Sequence, residues 1–247
     1  MPANPSPSDR RRRLRRMAFA IYCVLLFLFL AIGAELAVRV AGGRPYRLAD
    51  LPVKVEPGGR FFRRHPRLGY TQIPGEYKIT LPDGYAFRVT HGANTLRITH
   101  PPLLPTGAAP RPAVWIMGCS FVHGWSLNDE DTLPWQLQQA LPEFEISNFG
   151  VNGYGNLHGL LQYREFQTTQ PKPVCVVATY AYFHDERNTL TRARRKAVAP
   201  YNHLGPVALP YARLAADGTL DLRREAVEYR EWPLQRHSAL VHFLEQK

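Results

Sequence analysis

The sequence contains few cysteines, and their number and spacing exclude whole classes of protein. Three occur among 247 residues, at positions 23, 119 and 175. An odd number without close spacing provides neither a paired disulfide framework nor a set of zinc ligands. Cys119 and Cys175 fall in predicted strands; an oxidising compartment permits a bridge between them, but two buried thiols are the default expectation. We predict no cofactor and no metal.

Acidic residues are also scarce, and the resulting positive charge is unevenly distributed. The chain has 31 Lys and Arg against 20 Asp and Glu, which gives a net charge of +11. Six arginines and one aspartate lie within residues 1–16, so this short stretch carries five of those charges. No groove-reading or aromatic motif accompanies the arginines, and we therefore predict no nucleic-acid partner.

The chain has one long hydrophobic run, and it directly follows the arginine cluster. Residues 18–34 carry no charge, and about 20 apolar helical residues are needed to cross a bilayer core of about 30 Å. We predict a basic cytoplasmic tail over residues 1–16 and a transmembrane helix over residues 17–40. The excess of arginine before the span places the amino terminus in the cytoplasm and the rest of the chain outside it.

A cleaved secretory signal is the alternative interpretation of the same run. Residues 31–34, Ala-Ile-Gly-Ala, loosely resemble a small-residue cleavage site. The apolar core is longer than the usual core of about 7–15 residues in a signal peptide, which favours a retained anchor.

Residues 41–110 are predicted to form an extracytoplasmic linker and a small β-rich segment. Apolar residues alternate over residues 77–81 and 85–89, and Pro82-Asp-Gly84 separates the two runs. This pattern predicts a β-hairpin, with residues 91–94 turning the chain into a third short strand. A sheet this small is only marginally stable alone, so we expect it to pack on the main domain.

Residues 111–247 are predicted to form an α/β domain in which strands and helices alternate. Strands are predicted over residues 113–117, 145–149 and 174–180, and helices over residues 132–140, capped by Asp131, and 157–168. The strands are almost continuously apolar, which predicts a parallel sheet buried between helices on both faces, that is, a three-layer fold. Ligands bind beyond the carboxyl ends of the strands in such sheets.

One polar or glycine residue of interest follows each predicted strand: Ser120, Gly153 and His184. A serine at a strand end is a typical position for the nucleophile of a hydrolase, which needs a base to take its proton and donors to bind the oxyanion. Neighbouring strand residues point to opposite faces, so Ser120 and Cys119 cannot both face the site, and we favour Ser120. Each residue alone could be structural, as a turn serine, a turn glycine or a capping histidine. Their common edge favours a site derived from a hydrolase.

Three segments resemble the characteristic blocks of the SGNH, or GDSL, hydrolase family. Residues 118–124, Gly-Cys-Ser-Phe-Val-His-Gly, resemble the first block, Gly-Asp-Ser followed by an aromatic residue and a nearby glycine. Residues 148–155 are similar to the second block, whose glycine amide binds the oxyanion and corresponds to Gly153. Residues 182–188 occupy the place of the third block, Gly-x-Asn-Asp. The likeness runs from about Phe61 to the last residue and is greatest to membrane-anchored bacterial members.

The resemblance implies a flavodoxin-like sheet of the SGNH type and a membrane-anchored serine esterase or acyl transferase. Its substrate would be an ester of the cell envelope, such as a carbohydrate O-acyl group. Ser120 would be the nucleophile, with amides of Ser120 and Gly153 and the ring of His184 as oxyanion donors. The protein would lie in the bacterial inner membrane, with its main domain in the periplasm.

The sequence departs from the family pattern at two places. Cys119 replaces the aspartate of the first block, and His184 replaces the oxyanion-binding asparagine of the third. The Asp-x-x-His block that supplies the family's orienting acid and general base is not found, so we expect the domain to be incomplete at its carboxyl end. Substitute bases would come from His123, His158, His184, His203 and His237.

Three hypotheses therefore remain open for the α/β domain. It is an active hydrolase that uses another base, a catalytically inactive domain that binds glycans or scaffolds an envelope complex, or a half-domain completed by a partner chain. The last predicted helix, opened by Pro233, presents Leu234, Leu240, Val241 and Leu244 on one face. We expect no partner for this face within the chain, which makes it a candidate contact for another protein.

Overall fold

The computed structural model of the protein describes residues 7–47, 53–101 and 110–245. It is a mixed α/β structure that divides into two compact units. One unit contains the amino-terminal helix together with the segment that starts at Arg230, and the other extends to Tyr229.

The described helices are α1 (Pro7–Val40), α2 (Ser120–His123), α3 (Leu133–Ala140), α4 (Asn156–Phe166), α5 (Phe183–Arg187), α6 (Arg192–Ala197) and α7 (Ala239–Glu245). The described strands are β1 (Lys54–Glu56), β2 (Phe62–His65), β3 (Gly69–Gln72), β4 (Gly75–Thr80), β5 (Ala86–His91), β6 (Ala113–Gly118), β7 (Glu145–Gly150), β8 (Cys175–Ala178), β9 (Val207–Leu214) and β10 (Leu220–Val227).

The first unit is dominated by α1, which contains the predicted span and also part of the predicted tail, since it begins at Pro7. Its 34 residues correspond to a length of about 50 Å at 1.5 Å per residue. Residues Arg11–Val40 are long and apolar enough to cross a membrane. The helix stops before Gly42, whose positive φ of 88° is unfavourable for other residues.

In the same unit, α7 differs from the predicted last helix in its start and in its surroundings. It begins at Ala239 rather than at Pro233, and the Ser238 hydroxyl caps it by accepting a hydrogen bond from the Val241 N–H at 3.0 Å. The expectation that this helix lacks a partner within the chain was wrong in part: α7 packs against α1, but Leu234 and Leu244 of the predicted apolar face are exposed.

The second unit begins with the β-rich segment, where the predicted hairpin is confirmed. Strands β4 and β5 pair antiparallel, with Ile79 opposite Phe87, and both side chains are buried. The predicted third strand is reduced to one residue, Arg97, which bridges His91 on one side and Asn148 on the other. Through this bridge the segment packs on the main domain, as expected.

The predicted parallel sheet is confirmed, with strand order β7-β6-β8. Because side chains alternate along a strand, β6 contributes to two cores. Trp115 and Met117 pack on one side with α4 residues, and Ile116 packs on the other with Val122 and partly buried Leu137 of α3. Helices therefore cover both faces of β6 and β7.

Strand β8 is not buried on both faces, contrary to the prediction for residues 174–180. All four of its residues are exposed, including Val176 and Val177. The strand lies at the edge of the sheet, where it pairs with β6 alone. An apolar run indicates a strand suited to burial but not its position in the sheet.

Two further features differ from the prediction. The cap of α3 is Thr132 rather than Asp131, since the Thr132 hydroxyl accepts a hydrogen bond from the Trp135 N–H at 3.4 Å. The hairpin of β9 and β10 was not predicted. It contributes to a core with the following members: Leu68, Tyr70, Val151, Tyr154, Val198, Val207, Leu209 and Val227.

Candidate functional site

The three predicted site residues follow the carboxyl ends of three neighbouring strands. Ser120 comes two positions after β6, Gly153 three after β7 and His184 six after β8. Because β6 pairs in parallel with both neighbours, the three segments leave the same edge of the sheet. The rings of Phe121 and Phe183, which adjoin Ser120 and His184 in sequence, lie 5.8 Å apart.

Ser120 opens helix α2 immediately after a tight strand-to-helix turn. Two glycines permit this turn: a Cβ at Gly118 would collide with Thr179, and one at Gly150 would collide with the backbone of His123. Cys119 is buried and Ser120 is partly exposed. Because Ser120 is the first residue of its helix, no helical carbonyl precedes it to accept its N–H. Within the described residues no hydrogen bond holds its hydroxyl.

His184 is buried and presents a single unused hydrogen-bonding group. Its Nδ1 accepts a hydrogen bond from the Ala181 N–H at 3.3 Å, so in the neutral ring the proton is on Nε2. Nε2 is buried without a partner in the described part of the chain. Burial, with the nearby charge of Arg187, lowers the pKa of His184. The ring is therefore a neutral hydrogen-bond donor.

His184 is not arranged as a general base with Asp185 as its orienting acid. The carboxylate of Asp185 accepts a hydrogen bond from the Tyr180 hydroxyl at 2.7 Å, and the ring of His184 is held by the Ala181 N–H instead. A ring that offers a donor rather than a free basic nitrogen can stabilise a negative charge but is poorly suited to remove a proton.

Gly153 occupies a position at which the fold itself requires glycine. Its φ is 79°, in a turn closed by a hydrogen bond from the Tyr154 N–H to the Val151 carbonyl at 3.1 Å. The hydroxyls of Tyr70 and Tyr201 both donate to the Asn152 carbonyl, at 2.9 and 3.4 Å. A Cβ at Gly153 would lie 2.5 Å from the Tyr70 hydroxyl oxygen. Turn geometry and these tyrosines account for this glycine without reference to catalysis.

We expect Gly153→Ala to lower the free energy of unfolding by about 1–3 kcal/mol, from the strained φ and the displaced Tyr70 hydroxyl. Gly58→Ala is the matched control, because Gly58 has the same φ of 79° but an added Cβ there would have no atom within 4 Å. The free energy of unfolding of both variants is measured by urea denaturation. The loss in Gly58→Ala gives the cost of the positive φ alone, and the additional loss in Gly153→Ala gives the cost of the contact with the Tyr70 hydroxyl. Equal losses in the two variants would show that Tyr70 does not restrict position 153.

The other candidate bases are held elsewhere. His123 is buried with its Nε2 3.1 Å from Nε2 of His91, and the ring of His158 stacks on Tyr154 with centroids 4.3 Å apart. His203 is exposed and contacts the Pro200 carbonyl, and His237 belongs to the unit that contains α1. None of these rings is hydrogen bonded to Ser120 in the described residues.

A cavity of about 330 Å³ lies beside the strand end that leads to Ser120. It is an open cavity lined by β6, α4 and the exposed strand β8, and its wall is mainly apolar, with Met117, Leu160, Tyr163, Val176 and Ala178. Gly118, Gly155 and Gly159 also line it. No sequence pattern predicts this cavity, because it depends on the exposure of β8.

Comparisons with known proteins give a weak likeness to solved structures of an esterase. No family model matches the chain, and no curated protein matches it. Three solved structures of the esterase AlinE4 are similar to it: the protein described as an SGNH-hydrolase family esterase, at 24% identity, and two single-substitution mutants, at 22% and 23%. Each match has a TM-score of 0.29 and covers 38% of this chain and 52% of the esterase. The chain thus spans about half the length of these structures.

Proposed function

We propose that the protein is a membrane-anchored serine esterase or acyl transferase of the SGNH type that acts on an ester of the cell envelope. The observation that carries the proposal is the strand-end arrangement: the partly exposed Ser120 and the unpartnered His184 Nε2–H follow adjacent parallel strands. The strand order β7-β6-β8 supports it. Flavodoxin-like sheets arrange their first three strands in the order 2-1-3 and bind ligands between the ends of strands 1 and 3, which correspond here to β6 and β8.

In the proposed reaction, the Ser120 oxygen attacks the acyl carbon of the ester. The N–H groups of Ser120 and Gly153 and the His184 Nε2–H donate to the oxyanion, and the alcohol of the ester leaves. Water or an acceptor hydroxyl then takes the acyl group from Ser120. The apolar cavity beside Gly118 suits the acyl side of the substrate better than a sugar, because its wall offers few polar partners.

The proposed turnover is slow with the residues described. A serine hydroxyl without a base is a weak nucleophile, and the histidines 123, 158, 184 and 203 are engaged as described above. Oxyanion binding and substrate positioning alone retain about 10³–10⁴-fold acceleration over water in serine hydrolases.

We propose that α1 anchors the protein in the bacterial inner membrane, with the site on the periplasmic side.

We expect a fluorophosphonate probe to label the purified protein slowly on Ser120, because the serine has no base beside it in the described residues, and Ser120→Ala to abolish the label without loss of stability. Ser147→Ala on strand β7 is the control and should keep the label. His184→Phe should slow labelling by about 10²–10³-fold, the effect of removing one oxyanion donor. Peptide mass spectrometry locates the adduct.

The opposite result would contradict catalysis at this site. If the protein stays unlabelled even in an incubation about 10³-fold longer than an intact SGNH esterase needs, Ser120 is not a nucleophile supported by oxyanion binding.

A second candidate function is an inactive domain that binds glycans or scaffolds an envelope complex. It is favoured by the Ser120 hydroxyl, which has no base beside it in the described residues. This candidate predicts no fluorophosphonate adduct and unchanged cellular function after Ser120→Ala.

A third candidate is a half-domain completed by a partner chain. It is favoured by the exposed edge strand β8 and predicts co-purification of a polypeptide that contains an Asp-x-x-His block.

A further inference from the structure

The unit that contains α1 holds a carboxylate at the end of the uncharged helical run. Glu35 directly follows residues 18–34, and its two oxygens accept hydrogen bonds from the carboxyl-terminal segment. The donors are the Ser238 hydroxyl at 2.7 Å, the Ala239 N–H at 2.9 Å and the Leu240 N–H at 2.8 Å. Glu35 thus satisfies the first N–H groups of α7, which have no acceptor within their own helix.

Two further contacts fix the same segment to the end of α1. The Arg39 guanidinium donates to the Glu35 carboxylate at 2.6 Å and to the His237 carbonyl at 3.1 Å. The Tyr46 N–H donates to the Gln235 carbonyl at 2.9 Å. If α1 spans the bilayer, Glu35 and Arg39 lie where the hydrocarbon ends, and residues 235–240 lie at that same depth.

The segment fixed there exposes large apolar side chains. Leu234 is 68% exposed and Leu244 is 52% exposed, and Phe243 is also exposed. Helix α7 has seven residues, which span about 10 Å at 1.5 Å per residue. The headgroup region on each side of a bilayer is about 5–8 Å thick, so the whole segment is within reach of it.

We propose that residues 232–245 form a second membrane contact, in which Leu234, Phe243 and Leu244 enter the headgroup region of the outer leaflet. The contact is positioned by Glu35. A lipid surface is the occupant that fits, because the exposed leucines belong to a segment that is hydrogen bonded to the end of α1, where Leu36 and Val40 are themselves exposed. Apolar side chains beside a polar, hydrogen-bonded backbone are typical of segments that lie in the interface plane. This inference rests on the membrane anchor of the proposed function.

The test uses the full chain in nanodiscs with single fluorescent labels. Leu234→Cys and Leu244→Cys are labelled with NBD in a Cys23→Ala, Cys175→Ser background, in which buried Cys119 does not react. Lipids with a nitroxide close to the headgroup should quench both labels at least twofold more than a label at Leu220→Cys, an exposed leucine on β10. Quenching equal to that of position 220 would overturn the proposal.

A label at Phe27→Cys, an exposed position of α1, separates failure of the anchor from failure of this inference. If position 27 is quenched and positions 234 and 244 are not, the second contact is absent and the anchor stands. If position 27 is not quenched, the anchor itself is wrong. Labels at 234 and 244 that are shielded from water but not quenched by the lipid would indicate a protein partner and would also overturn the proposal.

Glu35→Ala tests the positioning role. It should reduce quenching at position 244 towards the value at position 220 and leave position 27 quenched, whereas Glu35→Gln, which keeps an acceptor oxygen, should retain most of the effect. Unchanged quenching at position 244 after Glu35→Ala would overturn the role assigned to Glu35.

Discussion

Replacement of Arg97 by methionine is expected to lower the free energy of unfolding by about 3–5 kcal/mol, the cost of removing one partner from a buried ion pair. The side chain of Arg97 is inaccessible to solvent, and its Nε donates to Asp129 at 2.8 Å. Its remaining N–H groups donate to four backbone carbonyls, those of Arg88, His123, Gly124 and Leu127, at 2.7–3.0 Å. Without Arg97, the four carbonyls lose this donor, and the buried Asp129 carboxylate loses its cation and keeps the hydrogen bond from the Thr90 N–H.

The effect should be large because Arg97 joins three parts of the second unit. Its backbone bridges β5 and β7. Its guanidinium is hydrogen bonded to the loop after α2, the helix whose first residue is Ser120. Arg97→Lys should recover little of the loss, because an ammonium group cannot reproduce the planar set of five N–H donors. We therefore expect this variant to weaken the site as well as the fold.

Arg88→Met is the matched control for Arg97→Met. Arg88 pairs with Glu130 at 2.7 Å, one residue from Asp129, but both side chains are exposed. Such a pair contributes about 0–1 kcal/mol. Urea denaturation followed by circular dichroism measures both variants, and a loss at position 97 no greater than at position 88 would show that the buried network is not important for stability.

The elements that could be predicted from the sequence are those with a strong local pattern. The alternation in residues 77–89 depends on neighbouring positions, and it predicted the β4–β5 hairpin correctly. The apolar run before Ser120 likewise predicted β6, and the repeated strand–helix order predicted the parallel pairing that places Ser120, Gly153 and His184 at one edge.

The features that could not be predicted depend on residues distant in sequence. Hairpin β9–β10 was missed because β10 is largely exposed and lacks the apolar alternation that identifies a strand. The burial of Arg97 could not be predicted from the sequence either, since a lone arginine in a polar stretch is usually solvated. Four of its acceptors are backbone carbonyls, which have no sequence signal. The Tyr70 and Tyr201 hydroxyls beside Gly153 come from segments about 80 and 50 residues away, so the contact that restricts this glycine has no local signal.

The second large effect expected is a loss of stability in acid that originates from buried histidines. His91 Nδ1 donates to the Ile73 carbonyl at 3.1 Å, so its Nε2 accepts from the Nε2–H of His123 at 3.1 Å. This arrangement needs both rings to be neutral, because a protonated ring would direct an N–H at another N–H. Burial, with the charge of Arg97 nearby, lowers the pKa of His91 to about 3. Burial also lowers the pKa of His123 well below its usual value.

Because folding lowers the pKa of both histidines, the free energy of unfolding falls as the pH is lowered. In the unfolded chain each histidine binds a proton below its ordinary pKa of about 6.5, whereas the folded protein keeps both rings neutral to a much lower pH. The stability from the pair is therefore complete above about pH 6.5 and is lost as the pH falls below it. Each histidine that stays neutral in the folded protein contributes a slope of up to about 1.4 kcal/mol per pH unit below pH 6.5.

The double variant His91→Gln, His123→Gln isolates this contribution, because two glutamines can hydrogen bond to each other without titrating. The free energy of unfolding, measured by urea denaturation between pH 7.5 and 4.5, should fall less steeply in the double variant, and the difference in slope should correspond to at most about two protons. His203→Gln, at an exposed position, controls for the loss of a histidine as such and should retain the full slope. If the double variant keeps the wild-type slope, protons taken up by other groups cause the acid sensitivity, and the histidine pair is not maintained as a neutral unit in the folded protein.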